Sequence, residues 1–363
     1  MTIYYKELAM QAIVILGGYG VVGSQIAQIL RQSHPDLPLI LAGRNPQQAQ
    51  QLVAELGGPT SAAAIDVLKP QPLAGLQPQA IINAVNDPHD YVLQEAVARG
   101  IPMVDITRWT SRLQQTLDRI DRNTLKAPLL FASHWMAGLA SVVAFAATQQ
   151  LAQTEQMDLH VLFSLKDKAG PNSIEYMEHI ATPFTITEKH QPREVYPYTE
   201  PQTVTFPNGY RAKTYRFDTP DQWTLPQSTK AASVSARITF DDRLTMGLLL
   251  GLARSGVWKL LMHRRFDRLR HALLYNPGTG AAHELVWQIS GRDHAGKAQQ
   301  LTKTIVDRQG QTHLTAVGAV IQLETMLGLD GSQAFAPGIY FPETAPKLAY
   351  ALGRMQQLGV ELN

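Results

Sequence analysis

The 363-residue sequence contains no cysteine. Disulfides, thiolate metal ligands and a thiol nucleophile are excluded with it. Freedom from disulfides suits a reducing compartment. The chain also has little excess charge of either sign: 32 basic residues against 30 acidic ones give a net charge of +2. Such a balance gives no global reason to bind nucleic acid, and no nucleic-acid partner is expected. Long uninterrupted hydrophobic runs are missing too. The most apolar stretch, residues 246–262, is broken by Arg254 and Lys259, and is too short and too charged for a membrane span. The N-terminal stretch MTIYYKELAMQAIVILGG has no basic region followed by a long apolar core and a small-residue cleavage site. No signal peptide is therefore expected, and the cytoplasm is the default location. Neither HExxH nor GxSxG occurs, so zinc proteolysis and serine hydrolysis have no support and no metal site is expected.

What is present reads first as alternating strands and helices. Residues 12–16, AIVIL, form a short continuous apolar run ending in glycines, as a buried parallel strand does. From Val21, apolar residues recur at Val22, Ile26, Ile29 and Leu30, the spacing of one helix face. Further strands are predicted at 37–42, 62–67, 80–85, 101–106 and 129–132, with helices at 90–99 and 111–125 among them. Asn45-Pro46 is an N-cap and first-turn pair, and Gly57 and Gly100 are helix stops. The predicted class is α/β, a doubly wound parallel sheet of the Rossmann type over residues 1–135.

The sharpest motif lies at the first strand–helix turn, Gly18-Tyr19-Gly20-Val21-Val22-Gly23. The first glycine allows a tight turn, the second lets the backbone approach a pyrophosphate, and the third lets helix and strand pack closely. The helix N-terminus adds amide donors and a favourable dipole. Dinucleotide binding follows from this loop in this context. The second strand ends Leu41-Ala42-Gly43-Arg44-Asn45, with no acidic residue to hold the ribose hydroxyls of NAD. Arg44 stands where a 2′-phosphate would be met, so NADP is expected rather than NAD. Lys69 could assist. Asn45, Asp66, Asn83, Ala84 and Val85 complete the expected cofactor site.

The second half has a different texture. Residues 138–152 read as one mostly buried helix. Strands are predicted at 158–165, 203–206, 210–217, 234–240, 284–291 and 300–306, with Pro-Asn-Gly at 207–209 as a hairpin signal. Residues 183–202, rich in proline and polar side chains, read as an extended loop, and helix returns at 314–327 and near the C-terminus. The expected second domain, residues 136–334, is α+β with a mainly antiparallel sheet, a substrate and dimerisation domain. The segment 246–274 carries Arg254, Lys259, His263, Arg264, Arg265, Arg268, Arg270 and His271 among leucines. It reads as a solvated helix, and alternatively as a surface for a membrane, a partner or an acidic substrate.

Six islands together resemble the saccharopine dehydrogenase-like (saccharopine reductase-like) oxidoreductases. They are ILGGYGVVGSQIAQIL at 15–30, LILAGRN at 39–45, IINAVND at 81–87, ARGIPMVDIT at 98–107, GLASVVA at 138–144 and PGIYFPE at 337–343. The resemblance implies a Rossmann domain, an inserted domain with a mainly antiparallel sheet, and a C-terminal helix, 335–363, returning to the first domain. It also implies nicotinamide redox chemistry, in the better-known members at a carbon–nitrogen bond of an amino acid. The sequence departs from the family pattern before the long helix, where Ala137-Gly138 replaces Pro-Gly.

Chemically, such an enzyme must orient a hydride donor and move one proton. None of the twelve tyrosines has a lysine four residues later, and the nearest case is Tyr350 with Arg354, which argues against a classical short-chain reductase. Candidates at the carboxyl ends of the strands are Asn83, Asn86, Asp105, Thr107, Ser133 and His134. His134 and Asp105 are the candidate catalytic groups. His134 could trade a proton near neutral pH, and Asp105 reads more readily as a holder of amides or neighbours. Tyr176 and His179 could reach the substrate from the second domain. The expected function is NADP-dependent hydride transfer to or from a small amino or imino acid or related carbonyl compound, by a homodimer. A lipid-linked reductase at a membrane surface and a non-catalytic NADPH sensor are the alternatives.

Overall fold

The computed structural model describes residues 12–167, 182–255, 265, 278, 280–344 and 347–363. Its first sheet starts at β1 (Ile13–Leu16), whose four apolar residues are all buried. The helix α1 (Val21–Ser33) follows and turns Gly23, Ile26, Ala27, Ile29 and Leu30 inward, the face that the 3.6-residue spacing marks. Then come β2 (Leu39–Gly43), α2 (Gln50–Leu56), β3 (Thr60–Ala64), β4 (Ala80–Asn83), α3 (Tyr91–Arg99), β5 (Met103–Asp105), α4 (Thr110–Arg119) and β6 (Pro128–Phe131). Gly57 and Gly100, with φ of +59° and +67°, close α2 and α3 in a backbone region that side chains resist.

With a strand at Gly338–Tyr340 beside β6, the order is 338–340, β6, β5, β4, β1, β2, β3, all parallel. Strands buried on both faces explain the unbroken apolar runs of the sequence. The order reverses between β1 and β4, where ligands of such sheets bind beyond the carboxyl ends.

The second sheet is built from α5 (Leu139–Thr148), β7 (Gln153–Phe163), β8 (Phe184–Glu188), β9 (Gln191–Val195), β10 (Gln202–Thr205), β11 (Arg211–Arg216), α6 (Asp221–Thr229), β12 (Ser233–Phe240), α7 (Arg243–Ser255), β13 (His283–Arg292) and β14 (Ala298–Asp307). After it come α8 (Gln311–Leu327), β15 (Gly338–Tyr340), α9 (Leu348–Gln357) and β16 (Glu361–Leu362). Its order is β10-β11-β12-β7-β13-β14-β16, with β8 joined to β12 and β9 to β8. Within this sheet only β7 and β12 pair in parallel among the described residues. One face packs on α5 and α6: Met157, Leu159, Val161, Ile238, Leu285 and Ile289 are buried, and Trp287 donates its indole N–H to Ala140 O at 3.0 Å.

The chain divides into two units, residues 1–137 with 315–351, and 138–314 with 352–363. Three segments differ from the sequence reading. Residues 315–334 fall in the first unit rather than the second. There Gly318 of α8 lies against the carbonyls of Met136 and Ala137, and His34, just beyond α1, meets Glu324 at 2.9 Å. Residues 335–363 are not one returning helix: they give β15 to the first sheet, then α9, then β16 paired with β14. Residues 183–202 are not an extended loop throughout but hold the β8–β9 hairpin.

Candidate functional site

The site begins where β1 runs out. Gly17 turns the chain with φ of +79°, and a Cβ on it would come 2.7 Å from Val85 Cγ1. The turn role expected of Gly18 thus belongs to Gly17. Gly18 is needed for a different reason: a Cβ would meet Ile15 O at 2.8 Å and Leu41 Cα at 2.9 Å, so the loop presses on β2. Gly23 seats α1 against the loop, and a Cβ there would collide with the backbone of Gly17. Gly20 differs from both. It is exposed, and the one atom near a Cβ would be Gly17 O at 3.1 Å. Gly20 is also the N-cap of α1, without a side chain to cap it. The first-turn amides, beginning at Val21 and Val22, therefore face the side from which an anion can approach.

Across the loop, β2 ends in Gly43, Arg44 and Asn45. Tyr19 lies over Gly43, where any Cβ would strike the phenol ring. Its hydroxyl oxygen accepts the Asn45 backbone N–H at 2.9 Å, and Asn45 Oδ1 accepts Gln47 N–H at 3.2 Å. The glycine loop and the β2 turn are thereby latched together. Arg44, between the two, is exposed and bonds to no side chain or backbone among the described residues. Asp66, after β3, spends Oδ1 on Leu68 N–H at 3.1 Å; Lys69 is exposed.

At the ends of β4 to β6 lies a buried polar network. Asn83 is fully buried; its amide donates to Asp105 Oδ2 at 3.3 Å and Thr107 Oγ1 at 3.5 Å, and its oxygen accepts Val85 N–H at 3.4 Å. Its side chain therefore sits beneath the loop and shapes it, while Ala84 and Val85 form the loop itself. Asp105 is also fully buried and accepts from Thr107 N, Thr107 Oγ1 and Arg108 Nε at 2.8–2.9 Å. With these donors in place its carboxylate fits a holder, the role the sequence reading preferred to acid–base work. Arg108 also reaches Asp90 at 2.5 Å and Thr116 at 2.7 Å. Burial opposes its charge, but Asp105 and Asp90 raise the guanidinium pKa above its ordinary value. Asp87 caps α3, accepting Tyr91 and Val92 N–H at 3.0 Å, and burial raises its carboxyl pKa against the pull of Arg108.

His134 follows β6 with its side chain completely buried, Nε2 at 3.8 Å from Glu343 Oε2 and the ring edge toward Phe341. Met136, Ala137 and Gly138 then all have positive φ, of 54°, 49° and 89°, a run that L-residues resist and that recurs at functional sites. Gly17, Asp87, Asp90, Arg108 and Glu343 were not singled out from sequence. Their neighbours in the six islands were the available signal. Tyr176, His179 and, apart from Arg265, the basic residues of 256–274 lie outside the described residues; no helix among those described is long and apolar enough to cross a membrane.

Residues 13–128 match the family described as the saccharopine dehydrogenase NADP-binding domain. No curated protein is significantly similar in sequence. Among solved structures, saccharopine dehydrogenase (L-Glu forming) from Saccharomyces cerevisiae is similar over 97% of this chain and 99% of its own, with 13% identity and a TM-score of 0.67. A myo-inositol dehydrogenase from Corynebacterium glutamicum aligns over 96% and 94%, with 12% identity and a TM-score of 0.44. The yeast structure shares the fold, and the family match covers the stretch from β1 into β6 that carries the glycine loop, the β2 turn and the network beneath them. Residues 13–128 thus carry a saccharopine dehydrogenase-type NADP-binding domain, and the chain shares the fold of the yeast enzyme.

Proposed function

We propose that the protein seats the pyrophosphate of NADP(H) on the N-terminus of α1 and its 2′-phosphate at Arg44, and transfers hydride to or from a small amino or imino acid or a related carbonyl compound. The observation that carries the cofactor part is the pairing of an open Gly20 with an exposed, uncommitted Arg44 across one short loop. The substrate class follows the family likeness rather than any side chain. The cofactor would supply the hydride, and the chain must place the substrate and move one proton. His134, with Glu343 beside it, is proposed to handle that proton, while Asp105 keeps the ends of β4 and β5 in place.

The test of the cofactor site is calorimetric titration with NADPH and NADH. A charge-assisted contact to the extra phosphate is worth roughly 1.5–3 kcal/mol, so Arg44→Ala should weaken NADPH about tenfold or more and leave NADH nearly unchanged. Equal weakening of both cofactors, or a wild type that prefers NADH, would remove the assignment. For the proton, His134→Asn should lower turnover about a hundredfold at unchanged NADPH affinity and flatten the pH profile. Unaltered turnover would show that the histidine is structural.

A further inference from the structure

A groove of about 610 Å³ lies within the second unit, between β11 and α7. That is within the size range of small-molecule sites, roughly 300–1,000 Å³. Arg211, Lys213 and Tyr215 alternate along β11 and so share one face of the sheet, and all three line the groove. Arg243, the first residue of α7, adds a third cation. The rest of the wall is largely apolar, with Phe240 at the end of β12 and Met246 and Leu250 on α7. The helix is held over the sheet by its own cap: Asp242 Oδ2 accepts Thr245 N–H at 2.6 Å, and Met246 and Leu249 are buried.

Two features point to a ligand. Among the described residues the lining contains three cations and no carboxylate. The side chains of Arg211, Lys213 and Arg243 are exposed and form no hydrogen bond or ion pair among the described residues, so like charges share one concavity uncompensated. An anion entering there gains from all three. Secondly, Gly247 leaves open space on the helix side of the groove, where a Cβ would meet nothing within 4 Å among the described residues. We infer that this groove binds an anion with an apolar body, its acidic end at Arg211, Lys213 and Arg243 and its hydrocarbon part along Phe240, Met246 and Leu250. None of its lining residues belongs to the dinucleotide loop, and the inference does not rest on the proposed reaction.

Decanoate, titrated calorimetrically into the full-length protein below its micellar concentration, is expected to bind. Decanol, with the same chain and no charge, is expected to bind at least about tenfold more weakly. Arg211→Ala with Lys213→Ala should bring decanoate down to the level of decanol and leave NADPH affinity unchanged. Gly247→Trp places bulk in the groove from the helix side without costing helix propensity, and should abolish binding of both probes. The inference is overturned if the wild type does not bind decanoate, if decanol binds equally well, or if the Gly247→Trp protein binds decanoate undiminished.

Discussion

Gly20 and Tyr19 sit side by side in one loop and carry opposite demands. Gly20 leaves space, so Gly20→Asp places both bulk and a negative charge where the cofactor phosphate is proposed to approach. Near-complete loss of NADPH binding with an unchanged circular dichroism spectrum is expected; a folded variant with normal affinity would falsify the site. Tyr19 must fill space. Its hydroxyl receives the Asn45 N–H and so fixes the turn that presents Arg44. Tyr19→Phe keeps the ring over Gly43 and removes one hydrogen bond, worth about 0.5–1.5 kcal/mol. The ratio of NADPH to NADH affinity should fall about fivefold with little change in melting temperature. A ratio that stays fixed would mean that the turn holds its shape without the latch. The glycine pattern was legible because the chemistry of a phosphate loop needs glycine at set spacing. The latch was not, since nothing in the sequence ties Tyr19 to a residue 26 positions later.

The buried network under β4, β5 and β6 is an element-scale device. Arg108 ties β5 to α3 and α4 through Asp105, Asp90 and Thr116. Removing one partner of a buried pair leaves an uncompensated charge, at a cost of about 3–5 kcal/mol. Asp105→Ala should therefore lower the unfolding free energy from urea titration strongly, and a loss below about 1 kcal/mol would show the network to be replaceable. Elsewhere, legibility followed turn chemistry. The β10–β11 hairpin was readable from Pro-Asn-Gly, with Gly209 at φ +85°. The β8–β9 hairpin was not, although its register leaves a two-residue turn, Lys189-His190, with φ of +50° and +61°. That is the conformation usually served by Asn-Gly, here taken by residues that advertise nothing. Pro192 stands in β9, which among the described residues pairs with β8 alone, where the missing N–H is tolerated.

At the scale of the whole molecule, the second sheet stores an acid sensitivity. His160 on β7 is fully buried, hydrogen-bonded through Nδ1 to Thr214 Oγ1 at 2.8 Å. Burial lowers its pKa to about 4, with Asp158 opposing and Arg237 adding to the shift, and burial lowers His283 on β13 to about 3. Both folded values lie below that of an unfolded histidine, so the unfolded chain takes up protons first as pH falls. Stability is full above pH ~6.5 and is lost toward pH 4, at a slope of up to about 1.4 kcal/mol per pH unit for each histidine. His160→Gln should reduce that slope in urea titrations between pH 6.5 and 4, and an unchanged slope would place the sensitivity elsewhere. The parallel sheet, the glycine loop, the absence of an acid after β2 and most strands of the second sheet were determined by sequence alone. Each depends on local periodicity or on a residue whose backbone or charge has few substitutes. The tertiary structure alone decided that 315–334 belong to the first unit, that 338–340 add a seventh strand, and that Glu343 lies by His134. Those facts rest on contacts between residues some 200 positions apart, and no local pattern in a chain encodes which distant segment will cover it.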